Sequence, residues 1–160
     1  MHKSLLRHSL LAVAIAAGSA HAASFDRIAS FPVSKNLPQG GDMAQETSAE
    51  IITASDDGQT IIYSDSPRGG VGFINLADPY SPQADGFVDL GGEPTSVVAL
   101  ADQVFAGVNT SESYVKPSGY LATLSLSSRT VTGRCELGGQ PDSVAISKDG
   151  RFVAVAIENE

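Results

Sequence analysis

From Ile51 onward the apolar residues come in short runs rich in valine and isoleucine, broken at close intervals by glycine, proline, asparagine and aspartate. No run has the length or the period of a helix, so the pattern predicts strands joined by tight turns. The runs also repeat. Gly91-Gly92-Glu93-Pro94-Thr95-Ser96-Val97-Val98-Ala99 returns 47 residues later as Gly138-Gly139-Gln140-Pro141-Asp142-Ser143-Val144-Ala145-Ile146. A looser copy begins near Glu50, with Ile51-Ile52, the turn Asp56-Asp57-Gly58, and Ile61-Ile62-Tyr63.

The second copy divides into strands over 95–100, 104–109, 119–126 and 130–137. Asp-Gly and Ser127-Ser128-Arg129 turns fall where antiparallel hairpins need them. A four-stranded antiparallel unit recurring at this spacing predicts an all-β fold, a partial β-propeller of four-stranded blades of about 47 residues each. The 138 residues after Ala22 are slightly fewer than three such blades. The expected result is an open, truncated run that self-associates unless remaining blades or another protein cover it. Phe25 to Val33 alternates like the outer strand that would close a ring. The chain therefore divides into 1–22, 23–49 and 50–160.

Residues 1–22 carry a basic start (His2, Lys3, Arg7, His8), an apolar run from Leu10 to Ala17, and the small-residue close Ala20-His21-Ala22. That is the form of a signal peptide, with Ala23 as the first mature residue and a periplasmic or secreted product. The apolar run is too short to span a bilayer as a helix, so no membrane span is expected. Cleavage removes all three histidines, together with Lys3 and Arg7. The net charge falls from −8 to −10, because two positive charges leave and no negative ones. Imidazole-based triads or zinc sites are thereby excluded for the mature residues, and nucleic acid is a poor partner for such an acidic chain. Cys135 is the single cysteine; its place in an alternating run predicts a buried structural thiol without a disulfide.

The pattern Pro141-x-x-Val144-Ala145-Ile146-Ser147-x-Asp149-Gly150-x-x-Val153-x-Val155 resembles the YVTN-type repeat of bacterial exported β-propellers, and Pro94 to Ala106 is a looser copy. The Gly-Gly-x-Pro openings, the export signal and the close Ala156-Ile157-Glu158-Asn159-Glu160 resemble the first blades of bacterial phytase-like esterase proteins. That resemblance implies the N-terminal fragment of a calcium-dependent hydrolase of phosphate or carboxylate esters, inactive alone. The alternative is a non-catalytic binding or scaffold propeller.

Hairpin alternation puts Asp42, Glu46, Glu50, Asp65, Glu93, Glu112, Asp142, Glu158 and Glu160 on one loop face, against Arg68 and Lys116. Glu50, Asp65, Glu93, Asp142 and Glu158 are the candidate calcium ligands, since calcium takes many carboxylate and carbonyl oxygens. A bound calcium would also let an anionic small molecule approach. A solvated acidic face is the competing reading. Arg68, expected on an exposed loop, is a candidate clamp for carboxylate or phosphate. Tyr114 and Lys116 lie in the long loop 109–119, a candidate for ligand contact. Asp57 and Asp149 read as turn formers rather than catalytic acids.

Overall fold

The structure, a computed structural model, describes residues 25–37 and 41–158; the signal-peptide reading of 1–22 lies outside them. Among the described residues ten strands follow one 3-10 turn, Val33–Lys35, and within each sheet neighbouring strands pair antiparallel. The first sheet is β1 (Ile52–Ala54), β2 (Thr60–Asp65), β3 (Gly70–Asn75) and β4 (Gln83–Asp89). The second is β5 (Glu93–Leu100), β6 (Gln103–Asn109), β7 (Gly119–Ser125) and β8 (Thr130–Glu136). A two-stranded sheet, β9 (Gln140–Ile146) with β10 (Val153–Glu158), comes last among the described residues. The protein is therefore all-β, and these sheets do not close into a barrel or ring. Residues 25–32 form no strand, so the alternation of Phe25 to Phe31 finds no sheet edge to pair with.

Alternation dictates the core. On β6, Val104, Ala106 and Val108 face one side and stand opposite Leu124, Ala122 and Tyr120 of β7. All six are buried, together with Val97 of β5 and Ile62, Val71 and Phe73 of the first sheet. The main core is thus the layer between the first two sheets, where each large side chain removed from water contributes about 1.5–3 kcal/mol. The outer strand β8 has no layer over it. Cys135, on β8, is consequently exposed rather than a buried thiol, because strand alternation buries a residue only where another element covers that face.

The repeated Gly-Gly-x-Pro segments make the joints between sheets. Pro94 and Pro141 are fully buried near the start of β5 and β9, each beside a β-bulge, where a strand tolerates a missing N–H. The carbonyl of Pro94 lies within hydrogen-bond reach of Ser66 Oγ (2.9 Å), and that of Pro141 accepts a hydrogen bond from Thr95 Oγ1 (2.8 Å). Val144 N–H donates to Ser96 Oγ across the second joint (3.1 Å). Gly119 admits Pro141: a Cβ there would stand 2.3 Å from Pro141 Cδ.

Asn36, just past the 3-10 turn, ties the first segment to the first sheet. It is 1% exposed. β4 carries an extra residue opposite Phe73, and the bulge leaves backbone groups unpaired. Asn36 Nδ2 lies within hydrogen-bond reach of Phe73 O (2.9 Å), Gly86 O (2.9 Å) and Tyr63 Oη (3.1 Å), and its Oδ1 accepts from Gly86 N–H (3.2 Å). Gly86 adopts φ +107°, which favours glycine.

Candidate functional site

The β2–β3 hairpin builds the least expected feature. Gly69, at φ +69°, closes the turn with its N–H on Ser66 O (3.0 Å). Asp65, at the end of β2, is fully buried, not on an exposed loop face. Its carboxylate accepts from Thr47 Oγ1, from Ser48 N–H (3.1 Å) and from Arg68 N–H (3.3 Å), so it is spent on fastening the hairpin to the segment before β1. Arg68 is also buried, at 8% exposed, which corrects its expected place on an open loop. The tight turn and the incoming 41–50 segment fold it inward. It lines a cavity of about 220 Å³ with Leu37, Gly41, Gln45, Phe87 and Asp89. Its Nε, Nη1 and Nη2 atoms are all buried and have no hydrogen-bond partner among the described residues.

The other candidates are scattered. Glu50 Oε2 lies 2.6 Å from Ser66 Oγ on the exposed surface and competes with Pro94 O for its one proton. Glu93 and Tyr114 line a cavity of about 270 Å³ with Asn109, Ser111, Ser113 and Gln140. Tyr114 and Gln140 also line a second cavity of about 240 Å³, with Pro117 and Glu158. Lys116 Nζ pairs instead with Glu112 Oε2 (3.0 Å), both exposed. Asp142 is exposed on β9. Among the described residues no three carboxylates, thiols or imidazoles gather where they could hold a metal. Glu50, Asp65, Glu93, Asp142 and Glu158 therefore do not assemble as a calcium-ligand set, Asp65 least of all because internal bonds occupy it.

The 109–119 loop is held by its own polar groups. Thr110 N–H donates to Ser118 O (3.0 Å), Ser118 N–H donates to Ser111 Oγ (3.0 Å), and Ser113 bridges to Lys116. This internal ladder leaves Tyr114 projecting, 76% exposed, between the two polar cavities.

The two Asp-Gly hairpins are one device used twice. Ser55 Oγ donates to Asp57 Oδ1 (2.6 Å), and Thr60 N–H donates to Ser55 Oγ (3.0 Å). Ser147 Oγ donates to Asp149 Oδ1 (2.7 Å), and Phe152 N–H donates to Ser147 Oγ (3.0 Å). The hydroxyl beside each carboxylate, then backbone N–H groups or Arg151, hold Asp57 and Asp149 below their ordinary pKa of 3.8. Asp102 is lowered in the same way by Ser125 and Ser127. Asp57 and Asp149 are turn formers, held ionised by their own hairpins, whereas Asp102 is held by the turn between β7 and β8.

Sequence reasoning missed Asn36 and the burial of Arg68. Asn36 lies outside the repeat, and nothing near it in sequence marks it. The pair Gly69-Gly70 was the available signal for Arg68: a Cβ at Gly70 would lie 2.3 Å from Val88 O, so the backbone there is packed tightly against β4.

Antiparallel sheets strung along one chain, joined by buried prolines and carrying a buried cation, define an all-β repeat domain. The chain belongs to the choice-of-anchor I domain family, whose model matches residues 50–160. An extracellular, cell-surface location fits that membership. Among the described residues no helix is long and apolar enough to cross a membrane. No curated protein matches the chain.

Proposed function

We propose that residues 50–158 are successive blades of a β-propeller and serve as a non-catalytic binding scaffold on an exported protein. One observation carries this reading: the same joint occurs twice. The first strand of the second sheet, β5, lies against β1, β2 and β3, and the first strand of the next sheet, β9, lies against β5, β6 and β7. In both joints a buried proline carbonyl faces a hydroxyl of the preceding repeat, Ser66 in the turn after β2 at the first and Thr95 on β5 at the second. The hairpin turns also stack in register, with Ala101 N–H donating to Asp56 Oδ2 (3.0 Å) and Gly150 set against Leu100. Buried prolines 47 residues apart, each opening a strand laid against the preceding sheet, are what radial repetition requires. The exposed Tyr114 and the polar cavities beside it supply a contact surface of the kind loops carry on rigid scaffolds.

The ester-hydrolase reading rests on resemblance and acidic charge. The two are separated by incubating the purified exported protein with p-nitrophenyl phosphate and p-nitrophenyl acetate, with and without millimolar calcium. The scaffold reading expects hydrolysis no faster than in buffer. Calcium-dependent turnover removed by chelator would overturn it. Hydrogen exchange tests the blade arrangement: β5 and β6 should exchange most slowly and β8 fast, whereas equal protection of β5 and β8 contradicts it.

A further inference from the structure

The charge on Arg68 is unmatched. A guanidinium stays protonated at any pH a protein meets, so burial cannot be relieved by loss of the proton. Buried charges are normally paired or hydrogen-bonded, because an unpaired one forfeits its hydration without return. Here the residue is more than nine-tenths buried, and all three nitrogens lack a partner among the described residues. The nearby carboxylates are engaged elsewhere. Asp65 accepts from Thr47, Ser48 and the Arg68 backbone, and Asp89 Oδ1 accepts from Gly91 N–H (2.8 Å). Neither forms an ion pair with Arg68 among the described residues.

We propose that Arg68 is the anchor of an oxyanion site and that its ligand is a small organic carboxylate. The planar guanidinium offers two parallel N–H groups that match the two oxygens of a carboxylate. The cavity beside it gives the side chain room to turn that pair toward a ligand, with the Gln45 side chain on the wall and Phe87 as an apolar surface. At about 220 Å³ it is smaller than the roughly 300–1,000 Å³ of drug-sized pockets, which suits an acid of a few heavy atoms. Asp89 on the same wall repels a phosphate dianion about twice as strongly as a carboxylate monoanion, which offsets the doubled attraction Arg68 offers a dianion and leaves the planar fit to decide for carboxylate. The site stands on its own geometry and goes beyond the scaffold reading: it survives or fails whether or not the sheets are blades.

The test is thermal unfolding of the exported protein at neutral pH in sodium acetate, sodium phosphate and sodium chloride at matched ionic strength. A ligand that binds only the folded state raises the midpoint. Acetate should raise it above chloride, phosphate should raise it less, and Arg68→Gln should abolish the difference. Asp89→Asn keeps an oxygen for Gly91 N–H and removes the repulsion, so acetate affinity should rise about twofold or more. That second variant keeps the test open if Arg68→Gln fails to fold. Equal midpoints in acetate and chloride, retention of the acetate effect by Arg68→Gln, or unchanged affinity in Asp89→Asn would overturn the site. A larger effect of phosphate than of acetate would overturn the carboxylate assignment.

Discussion

Replacing Asn36 by alanine removes the amide that joins the chain before β1 to three strands at once. Of the groups it serves, Tyr63 and Phe73 are fully buried, so water cannot take over at Tyr63 Oη or Phe73 O. Each buried polar group left without a partner costs about 1–3 kcal/mol. Gly86 is exposed, and solvent can replace the two bonds made there at little cost. The expected loss is therefore about 3–4 kcal/mol, a large part of the roughly 5–15 kcal/mol that holds an ordinary domain together. For a chain of this size it corresponds to a fall of about 10 °C in midpoint. Urea titration with an unchanged slope measures it directly. Tyr63→Phe removes one of the same partners and should cost about 1 kcal/mol. Because the two residues share a bond, the double variant should lose about 1 kcal/mol less than the sum of the single losses. A loss below about 1 kcal/mol for Asn36→Ala, or strict additivity with Tyr63→Phe, would refute the assignment of Asn36 as the bulge-filling tie.

Five further outcomes are expected. Gly119→Ala should cost more than about 2 kcal/mol in the same urea assay, since its Cβ meets Pro141 and two backbone oxygens at the second joint. Arg129→Ala should cost about 1–2 kcal/mol, because Arg129 pairs with Asp85 of the first sheet and lies 4.4 Å over the Phe73 ring; a loss confined to low salt would leave only the ion pair. In pH-dependent melts, the folded chain holds Asp57, Asp102 and Asp149 ionised more tightly than the unfolded chain does, so their contribution is full above the ordinary pKa of 3.8 and is lost as pH falls through the lowered folded values. Burial raises the pKa of Tyr63 and Tyr120 above the ordinary 10.0, so their contribution is full below pH 10.0 and is lost as pH rises through the folded values; absorbance titration should show a late-ionising component that Tyr63→Phe reduces. Cys135 should react with a thiol reagent in the folded protein at the rate of the unfolded chain, and strong protection would contradict its exposure on β8.

The sequence alone determined what depends on local periodicity and turn chemistry. Strands 95–100, 104–109, 119–126 and 130–137 correspond within a few residues to β5 through β8. The Asp-Gly turns are hairpins because Ser55 and Ser147 bond the carboxylate two residues on, a contact that needs nothing beyond the turn. The tertiary structure decided everything that depends on what covers what. Alternation alone made Cys135 look buried, yet β8 has no layer above it. Local composition made Asp65 and Arg68 look like loop residues, yet the segment from Gly41 to Glu50 folds over them, and only that contact turns one into an internal fastener and the other into an unmatched buried charge. Asn36 owes its role to a bulge formed 50 residues away at Gly86. A hydrogen bond over that distance leaves no period in the sequence, because it is set by how two strands shift register and not by the residues that flank the asparagine.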